Sequence, residues 1–144
     1  MAAKTSQLAS NADKTVLTHV ENTLDPIIFP DSRVLLLGSM PSPKSREIGF
    51  YFGNPQNRFW RVVAALYGEK PLKSIPEKID FCKRHHLALC DVLKACDIKG
   101  ASDASIANPV PHNIGALIQD SSICAIFTLG GTATKFYKRY TEQQ

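Results

Sequence analysis

The sequence lacks the long apolar segment that a membrane-spanning helix requires. No run of about 18 apolar residues occurs anywhere in it. Internal repeats, low-complexity blocks and the patterns of collagen, coiled coils and mucin-like tracts are absent as well. Residues 1–13 are polar and have no apolar core, so we do not expect a secretory signal there.

Cysteine is scarce and its spacing does not suit a metal site. The four cysteines form no C-x-x-C pair, and no His/Cys cluster has the spacing of a zinc site. Two of them, Cys90 and Cys124, lie within apolar runs, where cysteine usually packs as a small buried hydrophobic residue. We therefore predict structural thiols, no bound metal and an intracellular protein, cytoplasmic in a bacterium or nuclear in a eukaryote. The four cysteines are Cys82, Cys90, Cys96 and Cys124.

Size and composition indicate one globular domain. The chain has 144 residues, of which 44% are hydrophobic, and this is too apolar for a disordered chain. Its net charge of +4 is a mild basic excess that is compatible with a polyanionic partner. We assign residues 1–22 to a polar N-terminal tail and residues 23–144 to the domain, and we expect a monomer.

Three apolar runs alternate with helical patterns. Runs at 34–37, 87–93 and 123–129 have the continuous apolar character of strands that are buried on both faces of a parallel sheet. Apolar residues at helical spacing, a capping box at Ser74–Glu77 and glycine stops predict helices between and after them. Strand–helix alternation predicts an α/β fold with right-handed crossovers. The predicted helices cover residues 58–67, 74–85, 112–120 and 132–140.

The carboxyl ends of these strands are the expected place for a ligand. The first strand is followed by the turn Gly38–Ser42, whose backbone can approach a ligand closely. The segment 49–60, GFYFGNPQNRFW, clusters aromatic rings, glycines and two asparagines before a helix. Two residues of this segment have two open interpretations each. Asn57 is either a helix cap or a functional amide, and Phe52 is either a core residue or a stacking platform.

Taken in order, these segments resemble the uracil-DNA glycosylase superfamily, in particular its hypoxanthine (deoxyinosine) DNA glycosylase family. The resemblance rests on GSMPS at 38–42, GFYFGNPQNRFW at 49–60, LALCDV at 87–92, GASDASI at 100–106 and AIFTLGG at 125–131. It covers roughly residues 25–140. It implies a three-layer α/β fold in which a short central parallel sheet is flanked by helices.

The resemblance also implies an activity and a site. The enzyme would be a hydrolase of base excision repair that flips a damaged, deaminated nucleotide out of DNA and hydrolyses its N-glycosidic bond, without metal or cofactor. Asn57 would be the catalytic residue. In mismatch-specific relatives the catalytic Asn stands where this chain has Met40. The base pocket would comprise Gly38, Ser39, Met40, Phe52 and Asn54, with further pocket or DNA contacts from Pro41, Ser42, Lys44, Arg46, Ser102, Asp103 and Ser105.

Two departures from the family pattern bear on the activity. Asn54 stands where the family usually has His. The family continues after the last helix into a strand and a Ser/Pro-rich loop, which we expect to be missing here, so we expect weak or no activity from these 144 residues. The alternatives are a glycosylase restricted to uracil and a truncated, non-catalytic member that at most binds DNA.

Overall fold

The structure, a computed structural model, describes residues 16–141. The described residues form six strands and five helices. The strands are β1 (Thr18–Glu21), β2 (Val34–Gly38), β3 (Leu87–Asp91), β4 (Leu93–Lys99), β5 (Ser102–Pro111) and β6 (Ala125–Thr128), and the helices are α1 (Pro43–Ile48), α2 (Phe59–Leu66), α3 (Ile75–Arg84), α4 (Ile114–Ile118) and α5 (Gly131–Thr141).

The three predicted parallel strands are confirmed. They form one sheet in the order β3-β2-β6, with β2 in the centre. Leu36 of β2 lies opposite Leu89 of β3 on one side and Phe127 of β6 on the other. Leu35 and Leu37 are fully buried, which explains why the β2 segment has no polar alternation.

Helices cover both faces of this sheet, so the predicted three-layer α/β architecture is confirmed. On one face, Leu89 packs in a cluster with Trp60 of α2 and Phe81 of α3. On the other face, Leu35 packs in a cluster with Phe136 of α5. Within the described residues no strand follows α5, so the expectation of a missing final strand stays a prediction.

A second sheet was not predicted. The strands β1, β4 and β5 pair antiparallel in that order. Only Val92 separates β3 from β4, so one continuous chain passes from the parallel sheet into the antiparallel one. β5 is an edge strand that contains Pro109 and Pro111, and proline is tolerated there because an edge strand has unpaired backbone groups. The sequence analysis assigned no strand to this polar, proline-containing stretch.

The assignment of residues 1–22 to a tail was wrong in its last part. Residues Thr18–Glu21 form β1, whose backbone pairs with Ala95–Ile98 of β4. The stretch is polar because its side chains alternate between half-buried and exposed positions on a small sheet. Residues 1–15 of the predicted tail lie outside the described residues.

The helix predictions are confirmed, with small changes at the ends. Ser74 caps α3 as expected, because its hydroxyl accepts from the Glu77 N–H at 3.2 Å. The Glu77 carboxylate accepts from the Lys73 N–H at 2.8 Å rather than from the N–H of Ser74. The short helix α1 was not predicted, since prolines on both sides of Ser42 favoured a simple turn.

All four cysteines are free, and three of them, Cys82, Cys90 and Cys96, are buried. Burial raises the pKa of Cys82 and Cys90 to about 12, so both thiols are neutral. The prediction that Cys124 is buried was wrong: it lies just before β6 and is exposed. No helix in the described part of the chain is long and apolar enough to cross a membrane.

Candidate active site

A cavity of about 180 Å³ opens at the carboxyl edge of the parallel sheet. It lies where β2 ends at Gly38 and where β3 ends at Asp91, two residues that are paired in the sheet register. The turn after β2, the start of α1, the aromatic loop before α2 and the β4–β5 hairpin surround it. Its lining residues are Gly38, Ser39, Met40, Pro41, Ser42, Ser45, Tyr51, Phe52, Asn57, Asp91, Ile98, Ala101, Asp103 and Leu129.

The turn after β2 is held by backbone hydrogen bonds to the β3–β4 junction. The carbonyl of Gly38 accepts from the Val92 N–H at 2.8 Å, and the carbonyl of Ser39 accepts from the Leu93 N–H at 3.1 Å. Met40, in the middle of this turn, is buried. The turn is therefore a rigid wall of the cavity.

Ser42 and Ser45 connect this turn to the aromatic loop. The Ser42 hydroxyl accepts from the Ser45 N–H at 3.1 Å and caps α1. The Ser45 hydroxyl is buried and accepts from the Gly53 N–H at 3.1 Å. Gly49 ends α1 in the left-handed conformation, with φ of 80°, which glycine adopts without strain.

The aromatic loop is anchored by its buried rings. Tyr51 is buried, and its hydroxyl donates to the Asp25 carbonyl at 3.1 Å, while burial raises the pKa of the phenol well above its usual value. The Trp60 indole N–H donates to the Tyr51 carbonyl at 2.9 Å. Both contacts hold Tyr51, the residue directly before Phe52.

Phe52 lines the cavity from a strained backbone position. Its φ is 53°, in the left-handed region that a bulky residue seldom adopts. Its ring is half-buried and lies 4.1 Å, centroid to centroid, from the ring of Phe59. One residue thus combines backbone strain with an aromatic surface on the cavity.

Asn57 also lines the cavity, and its amide has a fixed orientation. Its Oδ1 accepts from the Phe59 N–H at 2.8 Å, a contact that an amide nitrogen cannot make. As the helix-cap interpretation predicts, the Asn57 side chain accepts a hydrogen bond from a backbone N–H at the start of α2. The N-cap position itself is occupied by Arg58. Within residues 16–141 the Nδ2 group has no hydrogen-bond partner, so it remains available to a ligand.

Asp91 was missed by the sequence analysis. The residue is only 3% exposed, and Asn22 Nδ2 donates to its Oδ2 at 3.2 Å. Burial raises the pKa of this carboxyl to about 7; Asn22 opposes the shift and the nearby Asp103 adds to it. The signal available in the sequence is a lone carboxylate at the end of a buried parallel strand.

Asp103 lies on the rim of the cavity, opposite the turn. Its Oδ2 accepts from the Ser39 hydroxyl at 3.0 Å, which joins β5 to the turn after β2. Asp91 and Asp103 are the only charged residues among the described residues that line the cavity. The described residues contain no group of three or more His, Cys, Asp or Glu placed to hold an ion.

Several predicted site residues lie outside the cavity lining. Asn54 caps its own loop by accepting from the Gln56 N–H at 3.0 Å. Lys44 pairs with Glu47 on α1 at 3.6 Å, and Arg46 lies on the same helix. The Ser105 hydroxyl closes the β4–β5 turn: it accepts from the Lys99 N–H and donates to the carbonyl of Ser102. Ser102 is exposed.

A family model described as the uracil DNA glycosylase superfamily matches residues 26–143. The chain belongs to this superfamily. The match includes every residue that lines the cavity. The cavity at the carboxyl edge of the sheet is therefore the candidate active site of a uracil DNA glycosylase superfamily member.

Two similar proteins within the superfamily are both described as hypoxanthine DNA glycosylases. A hypoxanthine DNA glycosylase of Methanosarcina barkeri is 36% identical over 83 residues, 56% of this chain and 52% of the relative. A hypoxanthine DNA glycosylase of Methanosarcina acetivorans is 35% identical over 92 residues, 63% of this chain and 58% of the relative. The chain thus spans little more than half the length of these curated relatives.

A solved structure has the same fold. It is a solution NMR structure of a protein from Methanosarcina acetivorans described as a candidate uracil DNA glycosylase. The superposition has a TM-score of 0.73 with 26% sequence identity, and it covers 83% of this chain and 76% of the other. The mixed α/β architecture is therefore shared over most of both chains.

Proposed function

We propose that this protein is a DNA glycosylase that removes deaminated bases, hypoxanthine first among them, from DNA in base excision repair. The observation that carries the proposal is that Asn57, Phe52 and the Gly38–Met40 turn line one cavity at the carboxyl edge of the sheet. Similarity to hypoxanthine DNA glycosylases supports the choice of base.

Phe52 supplies a platform for the extruded base. A base that leaves the duplex loses its stacking, and an aromatic side chain restores about 1–3 kcal/mol of it. The half-buried ring of Phe52 meets this need, and its contact with Phe59 keeps the ring in place. The strained backbone at Phe52 is consistent with a position selected for binding rather than for stability.

Asn57 acts on the departing base through its amide nitrogen. Cleavage of the N-glycosidic bond leaves positive charge on the sugar and negative charge on the base. Because Asn57 Oδ1 is held by the Phe59 N–H, the side chain offers Nδ2 as a donor to that negative charge. An amide is too weak a base to deprotonate water, so its contribution is electrostatic.

The proposed reaction uses no cofactor and no metal. A water molecule attacks the sugar carbon, the bond to the base breaks, and the base leaves with the bonding electrons; the water keeps one hydrogen as the new sugar hydroxyl, and its other proton is balanced by the one that the base gains. The partner is DNA that carries a deaminated base, and its phosphates would meet basic residues near the cavity such as Lys44 and Arg46. We further propose that the protein acts as a monomer inside the cell.

Base release from a duplex that contains deoxyinosine tests the proposal. The abasic product is cleaved by alkali and measured for the wild type, Asn57→Ala and Asn57→Asp. The Asp variant keeps the acceptor for the Phe59 N–H but loses the donor, so both variants should lose at least about 100-fold in rate.

Asn113→Ala is the matched control. Asn113 caps α4 by accepting from the Ala116 N–H at 3.1 Å and does not line the cavity, so its loss should leave base release unchanged. Release of uracil from a matched duplex that contains deoxyuridine, with no release of hypoxanthine, would favour the uracil-restricted alternative. Duplex binding without any base release by the folded protein would favour the non-catalytic alternative and contradict the proposal.

A further inference from the structure

We propose that Asp103 is a catalytic residue, whose Oδ1 holds the attacking water molecule and takes its proton. This inference rests on the proposed function and deepens it. Hydrolysis needs a group that accepts the proton of the water, and the amide of Asn57 is too weak a base for that step. The sequence analysis assigned Asp103 only to the pocket or to a DNA contact.

The cavity offers few groups that can accept a proton. Among the described residues its lining contains no histidine, lysine or cysteine. The phenol of Tyr51 is neutral, because burial raises its pKa well above the usual value. Two carboxyl groups are left, those of Asp91 and Asp103.

Position in the cavity distinguishes the two carboxyl groups. A flipped nucleotide remains joined to the DNA through its sugar, so the base enters the cavity while the sugar stays at the mouth. Asp91 is 3% exposed and lies at the end of a buried strand, where its Oδ2 accepts from Asn22. Asp103 is exposed and lies on the rim. Asp103 is therefore the carboxylate that a water molecule beside the sugar can reach.

The carboxylate of Asp103 is held from both sides of the cavity mouth. Its Oδ2 accepts from the Ser39 hydroxyl at 3.0 Å, and the Ser39 carbonyl accepts from the Leu93 N–H at 3.1 Å. The hairpin that carries Asp103 is closed by Ser105, whose hydroxyl accepts from the Lys99 N–H at 2.8 Å. Oδ1 of Asp103 has no hydrogen-bond partner between residues 16 and 141, so it is the oxygen open to water.

The proposed step balances without any further reactant. The water oxygen bonds to the sugar carbon, one of its O–H bonds breaks, and that proton passes to Asp103 Oδ1. The bond between the sugar and the base breaks, and its electron pair leaves with the base. Asp103 returns its proton to solvent, and the base takes one from solvent. The negative charge of Asp103 also lies beside the sugar while the sugar becomes positive, which favours the same transition state.

Two variants separate catalysis from support of the fold. Asp103→Asn keeps an oxygen that accepts from the Ser39 hydroxyl but loses the proton acceptor. Its single-turnover release of hypoxanthine should fall at least about 100-fold. Ser39→Ala breaks the same contact but leaves the carboxylate, and its rate should fall no more than about 10-fold. A larger loss in Ser39→Ala than in Asp103→Asn would overturn the inference, because the contact rather than the carboxylate would then matter.

Binding gives a readout that a structural role would not reproduce. The probe is a duplex that contains 2′-fluoro-deoxyinosine, whose electron-withdrawing fluorine suppresses cleavage. Asp103→Asn should bind it at least as tightly as the wild type does, because a negative charge near the DNA phosphates is removed. A loss of binding that accounts for the loss of rate would overturn the inference. Asp120→Asn is the matched control: Asp120 is exposed and does not line the cavity, so rate and binding should stay unchanged.

Failure of this inference is distinguishable from failure of the proposed function. If Asp103→Asn releases hypoxanthine at the wild-type rate while Asn57→Asp does not, Asp103 takes no proton and the glycosylase activity still stands. If the folded wild type releases no base, the inference and the proposed function are overturned together.

Discussion

Gly38 and Asp91 face each other across two hydrogen-bonded parallel strands, with Oδ1 of Asp91 2.5 Å from the point where a Cβ at position 38 would stand. No side chain fits in that space without displacing the buried carboxyl. The contact therefore requires glycine at the end of β2 because of space, and it places the carboxyl group at the base of the cavity.

Gly38→Ala should disturb both the fold and the site. The Asp91 carboxyl cannot move away freely because Asn22 holds it, so we expect a loss of about 1–3 kcal/mol in the free energy of unfolding. Base release should fall at least about 10-fold, because the carboxyl group or the turn must shift. Urea denaturation and a base-release assay measure the two effects.

The control for this variant is Gly131→Ala at the start of α5. A Cβ there meets nothing within 4 Å, and the residue has no left-handed backbone. Stability and activity should remain close to the wild type. If Gly38→Ala were as well tolerated as Gly131→Ala, the close contact between Gly38 and Asp91 would not exist in solution.

Asp91 should lower the stability of the protein as the pH rises. Its pKa is about 7 in the folded chain and near 3.8 in the unfolded chain. Between these values the folded state binds more protons, so the free energy of unfolding falls as pH increases from about 4 to about 7. At roughly 1.4 kcal/mol per pKa unit, the fall attributable to this group is at most about 4 kcal/mol.

Asp91→Asn should therefore be more stable than the wild type at about pH 8 and similar to it at about pH 4. The measurement is the difference between the two proteins in urea denaturation at both values, because contributions from other titrating groups cancel in the difference. A constant difference across this range would show that the Asp91 pKa is not raised by folding.

Removal of the Phe52 ring should weaken catalysis more than folding. Phe52→Ala loses stacking worth about 1–3 kcal/mol, which corresponds to a fall of about 5-fold to 150-fold in kcat/KM. Phe52→Tyr keeps the ring and should retain most of the activity. Equal kcat/KM for Phe52→Ala and the wild type would show that Phe52 only packs against Phe59.

The parallel sheet could be predicted because its strands are buried on both faces and read as unbroken apolar runs. The second sheet could not, because β1 and β5 are half-exposed, polar and, in β5, interrupted by Pro109 and Pro111. The pairing of β1 with β4 joins residues that are far apart in sequence, and local patterns do not report such pairing.

The candidate site could be predicted in part. Short segments with glycine, aromatic and amide residues indicated the turn at Gly38 and the loop with Phe52 and Asn57, and the structure brings all three to one cavity. Asp91 could not be assigned from sequence because its role depends on burial and on Asn22, which lies 69 positions away. Lys44 and Arg46 were chosen for charge and proximity in sequence, and neither lines the cavity.

The most direct test of the central claim is single-turnover release of hypoxanthine from a deoxyinosine duplex by the wild type and by Asn57→Asp. The account predicts release by the wild type and a loss of at least about 100-fold in the variant, with the fold intact because the Phe59 N–H keeps its acceptor. Equal rates for the two proteins, or no release by a folded wild type, would contradict it.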